Sequence, residues 1–238
     1  NTWSVEGFYE EGVAPAEMGW GTHERWMPAN AQVHADDGPC NQICLAQPGM
    51  ETWVRSWVPS GEILGMIIRH GESYTMSNHL TVRDDSGKAI YRPTVHYSYC
   101  PSNEAINSVL ELRMRNWQMQ PKERIMNNEI ISGRDELGVL LLGHDYTGWW
   151  TGSRLSIDEA RTITTGQSAT TLQVAGSVIA AVKWMIASPN QGVCVPDDLP
   201  WKSVLADARP YIGEIHSAPT DWDPLKTRND LFPGFGNT

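Results

Sequence analysis

Residues 69–72, with the sequence RHGE, place two side chains that can exchange protons one residue apart. An imidazole beside a carboxylate is a common acid–base pair, because its pKa can be set near neutral pH. The run 74–82 alternates in a strand-like way, so we expect His70 and Glu72 to face the same side of an extended chain. Gly71 would let a ligand approach the backbone there. The alternative is a salt bridge at the end of a strand, or a buried histidine without a chemical role.

A second group of residues suits the binding of a cation. Glu10 and Glu11 lie in the opening segment, and Glu11 follows Trp3 by eight residues. The chain has eleven Trp and only three Phe, and an indole face attracts ammonium groups by about 0.5–2 kcal/mol. A carboxylate and an indole close together would therefore bind a positively charged ligand. Two adjacent acids are, however, also common on a solvated surface.

Several other chemistries are not supported by the sequence. It contains no G-x-S-x-G motif of a serine nucleophile and no G-x-x-x-x-G-K loop for phosphates. The short run Gly19 to Gly21 lacks the third glycine and the flanking strand and helix of a dinucleotide site. The spacing of Cys40 and Cys44 is poor evidence for zinc. We expect reduced thiols and no metal site.

The formal net charge of −10 at pH 7 argues against nucleic acid or an anionic membrane as a partner, since both attract cationic proteins. A cationic small molecule suits this charge better. We find no run of eighteen apolar residues and no signal peptide, and therefore expect a cytoplasmic protein. Because the chain begins at Asn1 without a Met, we also expect it to be a processed product or part of a longer protein.

Hydrophobic periodicity predicts an α+β domain with a mixed, largely antiparallel sheet and helices on one side. We expect one domain over 1–238. Its predicted parts are a loop-rich pocket segment (1–50), a sheet (51–155), a helical packing segment (156–216) and an irregular tail (217–238).

Individual elements follow from alternation, helical spacing and capping residues. Strands are predicted at 52–58, 63–70, 74–82, 89–99, 124–131, 137–144 and 148–155. Helices are predicted after the cap Ser102, from the S-x-x-E capping box at Ser156, over 168–187, and within 200–213.

Longer segments carry a resemblance to a known family. The runs HGESYTMSNHLTV, YRPTVHYSYCPSNEAI, WWTGSRLSIDEAR and GQSATTLQVAGSVIAAVKWMI resemble the bacterial homospermidine synthase family, in order and over nearly the whole chain. The resemblance implies a saccharopine dehydrogenase-like protein, with a Rossmann half that holds NAD and an α+β half that forms the substrate pocket and a dimer contact. This chain is similar to the second half only. The Rossmann half would lie on the same precursor or on a separate chain.

The family reaction joins two putrescines into homospermidine and releases ammonia through an imine, with NAD as a bound redox relay. By position, Trp3 resembles the family's cation–π residue, Glu11 a pocket acid, and His70 and Glu72 an inner polar pair. Other functions remain open: a related saccharopine-type polyamine or amino-acid dehydrogenase, a non-catalytic polyamine-binding module, or a structural dimerisation domain.

Overall fold

The computed structural model describes residues 4–34 and 42–225. The first helix, α1 (Val5–Val13), begins where the Ser4 hydroxyl accepts a hydrogen bond from the Gly7 N–H at 3.1 Å. Three short strands follow, β1 (Pro15–Gly19), β2 (Ala31–Val33) and β3 (Gln42–Pro48).

The strands β1, β3 and β2 form an antiparallel sheet in that order. The prediction that 1–50 is loop-rich is therefore wrong for the described part of that segment. Several of the glycines and prolines that suggested loops lie inside elements, such as Gly12 in α1, Gly19 in β1 and Pro48 in β3. The strand β3, which pairs with β1, lies far along the chain from it, and no short sequence pattern predicts such a pairing.

The next two strands confirm the prediction. The strands β4 (Trp53–Val58) and β5 (Gly61–Met66) form an antiparallel hairpin at the sites expected from alternation and apolar content. The strand β5 is shorter than predicted, because regular pairing stops at Met66. Residues 67–71 then run irregularly to the following helix.

That helix is α2 (Glu72–His79), so the predicted strand over 74–82 is wrong. The buried face of α2 consists of Ser73 and Ser77, and a helix whose inner face is made of serines shows no hydrophobic period. The small side chains are needed because α2 lies against β1: a Cβ added to Gly19 would be 2.5 Å from the Ser73 carbonyl oxygen.

The strands β6 (Val82–Arg83) and β7 (Ala89–Tyr91) pair around the predicted turn at 84–88. The strand expected over 89–99 does not continue beyond Tyr91, near Pro93, which has no N–H to donate. The later residues make only isolated bridges, Gly19 with Val95 and Met66 with Tyr99.

The helix α3 (Asn103–Met114) is confirmed. Its predicted cap, Ser102, accepts a hydrogen bond from the Ala105 N–H at 3.3 Å. The predicted strand at 124–131 is wrong, since these residues form no regular element.

Five C-terminal elements follow the prediction closely. They are β8 (Arg134–Leu142), β9 (Gly148–Ser156), α4 (Ile157–Ile163), α5 (Ala169–Ala187) and α6 (Trp201–Ala208). The strand β10 (Glu214–Thr220) was not predicted. The capping box between Ser156 and Glu159 is present. The strands pair antiparallel in the order β10-β9-β8. The irregular tail expected from 217 is wrong as far as Thr220, because β10 pairs with β9 along its whole length.

One face of α5 packs against α6 and β9, and it includes Leu172, Gln173, Gly176 and Ala180. The helix has 19 residues and, by length and composition alone, is apolar enough to cross a membrane, with 28% of that window buried. This departs from the prediction of no such segment. It is weak evidence for a membrane, since helices that pack within proteins pass the same test.

The α+β class is confirmed: within the described residues every strand pair is antiparallel. The strands form small separate sheets, two with three strands and two with two. That 1–238 forms one domain stays a prediction. For the site, the relevant scaffold is α1, β1, the segment 67–71 and the start of α2.

Candidate functional site

His70 lies between two carboxylates from different elements. Its Nε2 is 3.1 Å from Glu11 Oε2 on α1, and its Nδ1 is 3.2 Å from Glu72 Oε2 at the first residue of α2. The predicted pair of His70 and Glu72 is therefore in contact. The reason for the contact differs from the prediction, because Gly71 is helical (φ −60°, ψ −30°) and the chain turns there instead of extending.

Electrostatics tie the three groups together. Burial alone would lower the pKa of His70, but its hydrogen bond to Glu72 and the charges of Glu11 and Glu72 together raise it. The hydrogen bond from His70 holds the pKa of Glu72 below its ordinary value. Burial raises the pKa of Glu11, against the opposing effect of His70. The arrangement thus favours an imidazolium between carboxylates.

Glu11 is the less completely satisfied of the two acids. Its Oε2 atom is buried and accepts no well-aligned hydrogen bond, although His70 Nε2 is only 3.1 Å away. The short distance shows a close ion pair, while the poor alignment means that the hydrogen bond itself is weak. Glu11 therefore keeps unused acceptor capacity at this buried oxygen, and its side chain also lines a cleft.

That cleft is open to solvent and lined by Glu10, Glu11, Arg69, Gly71 and Tyr74. Its lining contains two carboxylates and the Tyr74 ring, which suits a ligand that carries an ammonium group, while the Arg69 guanidinium is paired with Glu17. Trp3, the predicted cation–π residue, lies outside the described residues, so its place in this cleft stays a prediction.

The sequence analysis missed Tyr97 as a site residue. Its ring stacks on the His70 imidazole, with ring centroids 4.1 Å apart and planes within 10°. Burial raises the pKa of the Tyr97 phenol strongly, so it stays neutral. The only sequence signal was the alternation of Tyr97 and Tyr99, which by itself suggests an ordinary strand face.

Glu17 on β1 was also missed. This buried carboxylate accepts a hydrogen bond from Gln42 Nε2 at 2.6 Å, and the same oxygen lies 3.3 Å from Arg69 Nε. The backbone N–H of Arg69 donates to the carbonyl of Glu11 at 3.3 Å. Arg69 therefore links the His70 segment to both α1 and β1. A lone Glu in a short strand carries no sequence signal for this role.

Other predicted features concern cofactors, metals and thiols. Since the described strands pair only antiparallel, these residues do not form the parallel-stranded crevice that binds dinucleotides. Across residues 4–34 and 42–225, no group of three or more His, Cys, Asp or Glu could hold a metal ion. Cys44, Cys100 and Cys194 are free thiols, and Cys40 lies outside the described residues.

Comparisons with known proteins agree with the resemblance found in the sequence. Homospermidine synthases from Blastochloris viridis and Mesorhizobium japonicum are 48% and 45% identical to the chain over 235 residues. The match covers 98% of this chain and 49% and 48% of theirs, so the chain spans about half the length of these relatives.

A crystal structure of the homospermidine synthase from Legionella pneumophila in complex with NAD matches the whole chain. The TM-score is 0.93 at 43% identity, with 100% of this chain and 51% of that chain covered. Residues 1–220 match the family model described as the saccharopine dehydrogenase C-terminal domain. The chain therefore belongs to the saccharopine dehydrogenase C-terminal domain family.

Proposed function

We propose that this chain is the substrate-binding half of an NAD-dependent homospermidine synthase, which joins two putrescines into homospermidine and releases ammonia. The observation that carries the proposal is the imidazole of His70 held between Glu11 and Glu72 at the edge of an open cleft. The names of the relatives at 45–48% identity support the same reaction.

The described residues do not contain a nucleotide-binding half, so its existence is part of the proposal. We place NAD on a Rossmann half carried by the same precursor or by a separate chain, because the Legionella pneumophila relative binds NAD and is about twice as long. Bound there, NAD would supply the hydride acceptor and donor of the reaction. Cytoplasmic location and a homodimer also stay predictions.

The residues of this chain would first bind the diamine. Two carboxylates and one imidazolium leave a net negative charge, which attracts a dication such as putrescine. The Glu11 carboxylate lines the cleft, so it would accept from one ammonium group. Glu72, already hydrogen-bonded to His70, would hold the imidazole in place.

His70 would then move protons. Both amines of putrescine are charged at neutral pH, and one must lose a proton before it can be oxidised or can attack an imine. An ammonium group beside Glu11 repels the imidazolium and lowers the pKa of His70, which favours the neutral imidazole. The neutral ring can accept a proton from the amine and return it when ammonia leaves.

Cationic intermediates of the substrate would be stabilised by the same groups. The reacting carbon would become part of a positively charged iminium group. Carboxylates already in place before the reaction stabilise this positive charge more than they stabilise a neutral amine. We expect Trp3 to add its indole face to this pocket.

One rival function has its own support. The family model takes its description from saccharopine dehydrogenase, and an enzyme of that type would oxidise or reduce a carbon–nitrogen bond with a net change in NADH. The synthase reaction returns its hydride and shows no net change. Ammonia released without net NADH formation would therefore separate the two.

The test is to fuse this chain in place of the matching half of the Blastochloris viridis homospermidine synthase. With NAD and putrescine, we expect equal amounts of homospermidine and ammonia by mass spectrometry and enzymatic assay, at constant NADH absorbance. A fusion that folds and binds NAD but forms neither product would contradict the proposal. Net NADH formation would favour the dehydrogenase.

Substitutions in the same fusion test the site. We expect His70→Ala and Glu72→Gln to reduce turnover at least about tenfold without unfolding the protein, because each removes a proton-transfer or anchoring group. His79→Ala is the matched control, since His79 ends the same helix at an exposed position. Unchanged turnover in both site variants would remove these residues from the mechanism.

A further inference from the structure

The contacts of His70 divide into two kinds by direction. The N–H bonds of an imidazole lie in the ring plane. Nδ1 meets Glu72 there at 3.2 Å, whereas Nε2 lies 3.1 Å from Glu11 without a well-aligned hydrogen bond. The Tyr97 ring lies on the face of the imidazole, with centroids 4.1 Å apart and planes within 10°. The carboxylates thus fix rotation within the plane, while the stacked ring fixes the tilt of the plane itself.

Tyr97 can set that tilt because its own position is fixed from both sides along the chain. Val95 bridges to Gly19 on β1, and Tyr99 bridges to Met66 at the end of β5. The Tyr99 pairing has two backbone hydrogen bonds, of 2.7 and 2.9 Å. Tyr97 lies midway between these two bridges, so its backbone has little freedom to move.

The Tyr97 side chain is also held by the core. It packs against a buried cluster that includes Phe8, Met66 and Ile68. Phe8 lies one turn before Glu11 on α1 and makes an edge-on contact with Tyr99 at 5.5 Å. The core that fixes Tyr97 therefore also fixes the helix that carries Glu11.

Charged groups on two different helices face His70. Glu11 faces it from α1 and Glu72 from α2, while Arg69 is its neighbour along the chain and pairs with Glu17. The Tyr97 phenol adds an electron-rich face and no charge, since burial keeps it neutral. Such a face stabilises an imidazolium by a cation–π contact.

We infer that Tyr97 is a positioning residue for His70, which holds the imidazole where Nδ1 bonds to Glu72 and Nε2 stays within ion-pair distance of Glu11. This inference rests on the proposed function only for its catalytic consequence. The positioning itself is a property of the chain without substrate, and it can be measured without any reaction.

The test is an NMR titration of His70 in the 238-residue chain and three variants. Tyr97→Leu removes the ring, so we expect a lower pKa of His70, because the imidazole loses both the aromatic face and its fixed orientation toward Glu72 and Glu11. Tyr97→Phe keeps the ring, so we expect a pKa close to that of the unchanged chain. Tyr99→Leu is the matched control, since Tyr99 packs on the same cluster and should leave the pKa of His70 unchanged.

Turnover of the fusion described above gives a second readout. We expect about a tenfold loss for Tyr97→Leu and less than about twofold for Tyr97→Phe, in line with the typical strength of a stacked aromatic pair. An unchanged or higher pKa of His70 in folded Tyr97→Leu would overturn the inference. So would an equal loss of turnover in the Tyr99→Leu control.

If Tyr97→Leu does not fold, Tyr97→Met takes its place, because a flexible side chain can fill the same space without an aromatic face. A normal His70 titration in a fusion without homospermidine synthesis would contradict the proposed function and leave the inference intact. Synthesis with a His70 titration that does not respond to Tyr97 would do the reverse.

Discussion

The site region (residues 4–34 and 42–99) and the C-terminal region (134–220) use burial differently. The site region buries polar side chains at the contacts between its elements: Glu17, Gln42, Ser73 and Ser77. The C-terminal region leaves large apolar side chains exposed on α5, where Val178 is 56% and Ile186 is 76% exposed.

This difference reflects what each region has to position. A buried carboxylate such as Glu17 must have partners in fixed places, because an unpaired buried charge is costly. In the site region those partners come from distant parts of the chain. In the C-terminal region, β8 and β9 are joined by a short turn and pair residue for residue along nine positions, so most of the order is local.

The largest effect that we expect is a loss of stability in the C-terminal region that leaves the chemistry of the site unchanged. Trp150→Ala removes a side chain that is only 2% exposed and should lower the free energy of unfolding by about 3–5 kcal/mol. The neighbouring Trp149, whose indole donates to Ser217 near the surface, is the matched control and should cost less. Both values can be measured by urea denaturation.

In the same Trp150→Ala protein, the NMR titration of His70 should be unchanged under native conditions. Trp150 packs near His216, on the sheet formed by β8, β9 and β10, and not on the scaffold of the site. A shift in the titration of His70 would show that the two regions are coupled and that the comparison drawn above fails.

A matched pair of buried glutamines gives the next largest effect. Gln42 donates to the Glu17 carboxylate at 2.6 Å in the site region, whereas Gln173 donates to the neutral Ser153 hydroxyl at 3.0 Å and to the Ile212 carbonyl in the C-terminal region. Since bonds to charged groups are stronger, Gln42→Ala should cost about 2–3 kcal/mol and Gln173→Ala about 1 kcal/mol. Thermal or urea unfolding would measure both. Equal costs would mean that Arg69 and His34 satisfy Glu17 without Gln42.

The smallest effect is the pH dependence of stability. The pKa of His70 is raised from 6.5 in the folded chain, so its stabilising contribution is complete below pH 6.5 and is lost as the pH rises through the folded-state value. The pKa of Glu72 is lowered from 4.5, so its contribution is present above pH 4.5 and is lost as the pH falls through the folded-state value. Glu11 acts in the opposite sense, because its raised pKa makes ionisation above pH 4.5 unfavourable.

We therefore expect His70→Asn to lose most stability between pH 4.5 and 6.5, with a smaller difference at higher and lower pH. Urea denaturation of both proteins at several pH values would measure this. His96→Asn is the control, since His96 is exposed and its ring hydrogen-bonds a backbone carbonyl, that of Tyr97, instead of a carboxylate. A loss that is constant across the pH range would show that the ion pairs contribute nothing.

How much could be predicted depended on how local each feature is. The caps at Ser102 and Ser156, the helix α5 and the pair β8 and β9 all matched, since capping and periodicity act over a few residues. The strand predicted at 74–82 was wrong because α2 buries serines instead of apolar residues. The contact between His70 and Glu72 was predicted correctly, but on an extended chain, whereas the structure has a helical turn at Gly71.

By itself, the sequence determined the α+β class, the main helices of the C-terminal region, the similarity to homospermidine synthases, and the residue types that could bind an amine. Only the tertiary structure decided that Glu11 on α1 meets His70, that Tyr97 covers the imidazole, and that Arg69 is tied to Glu17. Those contacts arise when α1, α2 and the 95–99 segment pack on common cores. Their geometry depends on how distant segments of the chain fit together and bury one another. A pattern of neighbouring residues does not predict this.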